Sequence, residues 1–257
     1  MSLALGKNPA RLLGLMAAAL SGPALAQDAD TLLRNADRYR TGADNLQVDT
    51  LVQSYKQDGA LDKERRYTVF TQADRRTLVL MQSPAEKGQK VLMLGDDFWL
   101  LMPSSQRPMR ITPLQKLLGD ASTGDIATMR WSGDYTATLV GSEPCTDSAS
   151  PGAQATACYR LQLLAARKGV TYQRIELWVG QQRHEPVRAQ LYVQSDKLAK
   201  QAHFEMDASH ATVSAMVLID QLGNQRQTRI RYLGRKERTV PNEWLNPMFL
   251  ARSPVLE

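Results

Sequence analysis

The sequence predicts a mainly β chain with a few helices, folded as one unclosed antiparallel β-barrel beneath a helical lid or plug. Three observations carry that prediction: ten or more segments with the period-two alternation of half-buried strands, polar turns between most of them, and one helix-like interruption near the middle of the chain.

The first twenty-six residues stand apart from this pattern. Lys7 and Arg11 precede the apolar run 12–20, and Pro23-Ala24-Leu25-Ala26 supplies small residues at a cleavage spacing. A basic flank, a short apolar core and an Ala-x-Ala end make a secretory signal peptide, too short to serve as a permanent membrane anchor. The expectation is cleavage near Ala26 and a soluble chain that works in the periplasm of a Gram-negative cell. The residue directly after the cleavage site is Gln27, not a cysteine, which argues against lipid attachment there. Residues 27–257 are expected to form a single domain, because about 230 residues can bury a large core and no linker or internal repeat divides them.

After the signal, Ala29, Leu32, Leu33, Ala36 and Tyr39 recur at helical spacing, with Asp28 and Asp30 first and Arg38 and Arg40 last. Acid at the start and base at the end suit the helix dipole, so this is an amphipathic helix that Thr41-Gly42-Ala43 stops. From Leu46 the period changes to two, with Leu46, Val48, Thr50 and Val52 on one side. Further strands are expected at 67–71 and 77–81, joined by Gln72-Ala73-Asp74-Arg75, and at 91–94 and 98–102, joined by Gly95-Asp96-Asp97. The second half of the chain continues at 135–142, 158–164, 172–179, 187–193, 198–205, 216–220 and 228–233. The tail 241–249, with two prolines and two aromatics, reads as an irregular strap on the outside of the sheet.

Between Pro103 and Trp131 the pattern breaks. Pro113 starts a short apolar helix through Leu118, Gly119 to Gly124 form a polar break, and Asp125 caps a second turn through Ile126, Met129 and Trp131. Such an insert plugs the open end of a barrel, covers a sheet face, or forms a movable lid over a cavity.

Cys145 and Cys158 are the two cysteines, and they bracket a Ser/Gly/Pro/Ala loop. In an oxidising compartment such a pair closes a hairpin as a structural disulfide. The formal charge of +6 becomes +4 once Lys7 and Arg11 are removed, and the basic residues are scattered rather than striped, which excludes a nucleic-acid footprint.

Convergent reactive groups are few. The chain has no Gly-x-Ser-x-Gly elbow and no His-Glu-x-x-His, and the loop 119–125 has phosphate-loop glycines but Asp125 where a lysine is required. His184, His203 and His210 are too scattered for a metal centre. The expectation is a binding protein, not an enzyme, with no cofactor and no metal. Trp99, Met102, Leu117, Leu118, Met129 and Trp131 are the candidates to line or cover a cavity, because methionine adapts to irregular ligands and tryptophan offers broad contact. Each alone reads as ordinary core; a shared concave face would make them a site.

The strand Leu94-Gly95-Asp96-Asp97-Phe98-Trp99-Leu100-Leu101-Met102-Pro103, the arginine-containing Arg107-Pro108-Met109-Arg110-Ile111, and Leu118-Gly119-Asp120-Ala121-Ser122-Thr123-Gly124-Asp125-Ile126 follow one another in a familiar order. With Glu176-Leu177-Trp178-Val179 and Pro186-Val187-Arg188, the chain resembles the outer-membrane lipoprotein-sorting protein family, relatives of the periplasmic carrier LolA. The resemblance implies a LolA/LolB-like open barrel with helices over its mouth and an apolar cavity for the acyl chains of lipid or lipoprotein. It also implies transfer toward the outer membrane, with an RND-type inner-membrane exporter or an outer-membrane acceptor as partner. The Cys145 and Cys158 hairpin lies outside the family pattern. A second reading from the residues is an envelope interaction or sensor module that uses the curved sheet as a protein-docking surface. The carrier needs room for a hydrocarbon chain; the docking module needs a filled interior.

Overall fold

The computed structural model describes residues 28–105, 107–146, 156–223 and 225–252. The predicted signal peptide and its cleavage site lie outside the described residues.

Helix α1 (Ala29–Thr41) forms as its pattern dictates: Asp28 caps its start, Gly42 at φ 74° ends it, and Leu32, Leu33 and Ala36 are buried on one face. The chain then runs through β1 (Leu46–Tyr55), β2 (Leu61–Gln72), β3 (Arg76–Met81), β4 (Lys90–Leu94), β5 (Asp97–Leu101) and β6 (Met109–Ile111). A covering segment, 112–134, follows and contains β7 (Lys116–Leu118), β8 (Ala121–Ser122) and α2 (Thr123–Ala127). The second arm comprises β9 (Tyr135–Cys145), β10 (Thr156–Ala165), β11 (Arg174–Gly180), β12 (Pro186–Tyr192), β13 (Leu198–Met206), β14 (Val213–Asp220) and β15 (Gln227–Glu237).

Thirteen of these strands make one antiparallel sheet in the order β6-β5-β4-β3-β2-β1-β15-β14-β13-β12-β11-β10-β9, so β6 and β9 are its two edges and the sheet does not close. Both edges are consecutive in the chain except for the covering segment. That segment is therefore the connection across the gap of the open barrel.

One face of the sheet wraps a single core. Val48 and Val52 of β1, Val91 and Met93 of β4, Leu161 and Leu163 of β10, and Ile230 of β15 share it with α1 and with Leu118, Ile126, Met129 and Trp131 of the covering segment. The opposite face is dressed differently on each arm. Over β2 to β5, Phe70, Leu78, Leu80, Leu92 and Leu101 are buried by the C-terminal strap through Val240, Leu245 and Leu250. Lys90 fixes the end of that strap, its buried ammonium donating to the carbonyls of Leu250 and Arg252 at 2.9 and 2.8 Å. On the other arm, the Cys145–Cys158 disulfide packs with Trp178 and Val187.

The predicted helix at 113–118 is replaced by the hairpin β7–β8. Leu114, Leu117 and Leu118 have helical spacing, but Gly119 at φ 54° reverses the chain and Lys116 pairs with Ser122. A side chain at Gly119 would meet Thr228 Oγ1 and Ser54 Cβ, so contact with the sheet overrides local propensity. The strand expected at 67–71 begins at Leu61, because its exposed first half, Asp62-Lys63-Glu64-Arg65-Arg66, carries no alternation to read.

Replacing both cysteines by serine removes the constraint on the thirteen-residue separation and is expected to lower the unfolding free energy by about 3 kcal/mol, read from urea denaturation of oxidised and variant protein.

Candidate functional site

The concave face and its cover form the candidate site. The cover adheres through α2, which begins with a capping box: Ser122 Oγ accepts from the Asp125 amide, and the Asp125 carboxylate accepts from the Ser122 amide at 2.8 Å. The cap is thus Ser122, and Asp125 stands three residues into the turn rather than at its start. This orientation aims the carboxylate at the sheet. Tyr172 Oη donates to Asp125 Oδ1 at 2.7 Å, and Lys200 Nζ of β13 donates to Oδ2 at 2.5 Å. The pair is almost fully enclosed, with side-chain exposures of 8% for Lys200 and 3% for Asp125.

Burial works to raise the Asp125 carboxyl, but the Lys200 ammonium, the Ser122 amide and the Tyr172 hydroxyl outweigh it and hold the group below the usual carboxylate range. Burial, then the Asp125 charge, pushes the Tyr172 phenol well above its ordinary value, so it stays a donor.

A second polar joint ties the cover to α1. The amides of Trp131 and Ser132 donate to Asp37, at 2.9 and 2.6 Å to Oδ2, and Arg40 pairs with Asp37 at 3.4 Å. The Arg40 guanidinium lies 4.0 Å over the Trp131 ring, whose edge meets Phe204 at a centroid distance of 6.0 Å. Burial pushes the Asp37 carboxyl up, against the pull of Arg40 and the two amides. Smaller links complete the attachment: Thr77 Oγ1 donates to the Ala127 carbonyl at 3.2 Å, and the Asp120 amide donates to Thr228 Oγ1 at 3.0 Å.

Among the described residues, the void between cover and wall, bounded by Arg40, Asp125, Trp131, Tyr172, Leu191 and Met216, measures about 20 Å³, room for about one water. At this place the cover leaves no room for a hydrocarbon chain. Two wider clefts lie at the margins of the cover. One, of about 270 Å³, is mostly polar and runs past Asp74, Arg75, Arg130 and Asp134 to Met93 and Met129. The other, of about 240 Å³, lies beside the β7–β8 hairpin between Leu117, Leu118, Tyr55 and Thr228.

Four of the six sequence candidates come together here. Leu118, Met129 and Trp131 are buried in the concave core, and Leu117 packs half-buried against it. Trp99 lies on the opposite face, packed with the strap-covered cluster beneath Arg110, whose guanidinium is 5.1 Å from the ring. The alternation of β5 explains this, since Phe98 faces inward. Met102 lies half-buried just beyond β5, outside the apolar clusters. Sequence reasoning missed Lys200, Tyr172, Asp37 and Arg40 as site residues. Two signals were available: the Ser122-x-x-Asp125 capping pattern, and a lysine on the same strand face as the inward Ala202 and Phe204.

A family model described as "Uncharacterized protein" matches residues 73–252. No curated protein matches significantly. Among solved structures, a LolA superfamily protein from Nitrosomonas europaea is 29% identical, with a TM-score of 0.75 over 86% of this chain and 98% of that one. A DUF1329 family protein from Desulfovibrio piger is 19% identical, with a TM-score of 0.67 over 85% of this chain and 95% of that one. A Vibrio parahaemolyticus domain provisionally described as an outer-membrane lipoprotein-sorting protein is 14% identical, with a TM-score of 0.65 over 88% of this chain and all of that one.

The Asp125 charge stabilises the folded state fully above about pH 4, its unfolded pKa, and that contribution is lost as pH falls through the lowered folded value. Unfolding free energies of wild type and Asp125→Asn are therefore expected to differ most near neutral pH and to converge below about pH 4. Taking the difference cancels the opposite contribution of Asp37. A difference that is flat from neutral pH to about pH 3 contradicts a charged, paired Asp125.

Proposed function

Because the chain belongs to the uncharacterized family whose model spans residues 73–252, and has the fold of the LolA superfamily, we propose that it is a periplasmic carrier of lipid or lipoprotein acyl chains, seen in its closed state. The signal peptide directs export and is removed near Ala26, and the cargo is passed toward the outer membrane.

The observation that carries the reading is the nature of the cover. It spans the gap between the free edges β6 and β9, and its grip on the concave face combines a few apolar residues with buried charges at Asp125 and Asp37. Permanent plugs are better served by apolar packing, since replacing a buried ion pair by well-packed apolar side chains is often neutral or stabilising. A joint of charges and hydrogen bonds instead has a defined geometry that breaks as a unit. Once withdrawn, the cover leaves an apolar wall that includes Leu191 and Met216 for an acyl chain, while its own Leu118, Met129 and Trp131 become free to close over the cargo. Shielding an acyl chain from water stabilises it by about 0.8 kcal/mol per methylene, ample for transport across an aqueous compartment.

The small size of the void between cover and wall favours one other reading, a non-enzymatic docking module whose curved sheet receives a protein partner. Gly124 separates the two. A Cβ at this position would fall on Thr171 Oγ1 and 3.0 Å from Thr171 Cβ, so Gly124→Ala crowds the cover against the wall and is expected to loosen it. Carrier function predicts that protein isolated from the envelope retains lipid by native mass spectrometry, and that Gly124→Ala binds the neutral probe N-phenylnaphthylamine more tightly than wild type. Lipid-free protein, no gain in probe binding, and a co-purifying protein partner together overturn the carrier in favour of the docking module.

A further inference from the structure

Asp125 and Lys200 belong to opposite sides of the contact between cover and wall. Asp125 travels with α2, whereas Lys200 is fixed in β13 and Tyr172 in the turn before β11. Together Lys200 Nζ and Tyr172 Oη form a two-donor cradle that holds a carboxylate, one donor on each oxygen. The cradle reaches the small void through Tyr172, and the other walls of that void include Leu191, Met216 and Trp131. A carboxylate joined to an apolar chain is the chemistry this place accommodates.

Withdrawal of α2 takes the carboxylate away. It leaves the Lys200 ammonium without the carboxylate that answers it at 2.5 Å, with Asp220 directly across on β14 as the remaining acidic neighbour, and removing one partner of a buried ion pair is unfavourable. Arg40, the cation that lines the void, keeps its own partner Asp37 on α1. The charge that loses its hydrogen-bonded partner is that of Lys200. An incoming anion at the cradle therefore favours opening.

Resting on the carrier reading above, we propose that the cargo is an amphiphile with a free carboxylate head, a long-chain fatty acid, which displaces Asp125 from Lys200 and Tyr172 and lays its chain along the wall the cover vacates. Asp125 is then a built-in competitor for the ligand site. Fatty alcohols and esters bring the same chain but no charge, so they leave Lys200 unanswered. Selection comes from the head, and affinity from the chain.

The test uses delipidated full-length mature protein with N-phenylnaphthylamine as a displaceable probe, titrated with oleic acid and with oleyl alcohol. Wild type is expected to bind the acid about tenfold or more tighter than the alcohol, the ratio expected when a charge-assisted hydrogen bond replaces a neutral one. Lys200→Gln lowers affinity for the acid to that for the alcohol and leaves the alcohol unchanged, while Asp125→Asn tightens binding of the acid. Should Lys200→Gln fail to fold, Tyr172→Phe serves instead and weakens binding of the acid alone. Equal affinity of wild type for acid and alcohol overturns this proposal and leaves the carrier reading standing. Failure of both ligands to bind wild type and Gly124→Ala overturns the carrier reading itself.

Discussion

An antiparallel sheet of thirteen strands that stops short of closing has an apolar concave face and must cover it. Everything distinctive in this molecule follows from how that is done. The strands form two meanders that meet where β1 pairs with β15, and the free edges β6 and β9 are joined in sequence by the covering segment. The segment that crosses the gap is thus also the one that lies on the core. Helix α1 covers beside it, so the two share the concave face and touch each other through Asp37, Arg40 and Trp131.

Burying charge in that contact is costly in a way that apolar packing is not. Asp125 is stripped of water and recovers through four donors, two from Ser122 and one each from Tyr172 and Lys200. The balance favours the ionised form, which means the joint is strong only while every donor stays in place. A small displacement does not loosen such a joint gradually, because losing one partner leaves the other buried and unpaired. On the carrier reading, such a joint makes the cover a two-state element: seated with all its bonds, or away.

Much of this was legible in the sequence, and the part that was not has a common physical cause. Period-two alternation located the strands whose two faces differ, and the helix from Ala29 was readable because its caps and dipole charges agree with its apolar stripe. The resemblance to lipoprotein-sorting proteins rested on the same ordered strands and is matched by the LolA superfamily fold. Where tertiary contact overruled local pattern, reading failed: residues 113–118 have helical spacing but lie in a turn and the hairpin strand that Thr228 and Ser54 hold against the sheet. Trp99 was grouped with the cavity because it is large and apolar, yet strand parity alone puts it with Leu101 on the strap side. Asp125 and Lys200 are seventy-five residues apart, and nothing local to either announces the other.

The two arms are not equally free to part. Arg75, in the turn between β2 and β3, donates from Nε to the Gly95 carbonyl and from Nη2 to the Gly169 carbonyl, each at 2.9 Å, and pairs with the buried Asp134. Gly95 and Arg75 belong to the first arm and Gly169 to the second, so one guanidinium stitches the meanders across the gap. Its neighbour Arg167 repeats the link by pairing with Asp96 at 3.0 Å, and the lack of a side chain at Gly169 lets these loops approach. The disulfide and the strap stiffen each arm on its outer face. With the arms braced and stitched, on the carrier reading it is displacement of the cover, not spreading of the barrel, that this architecture favours.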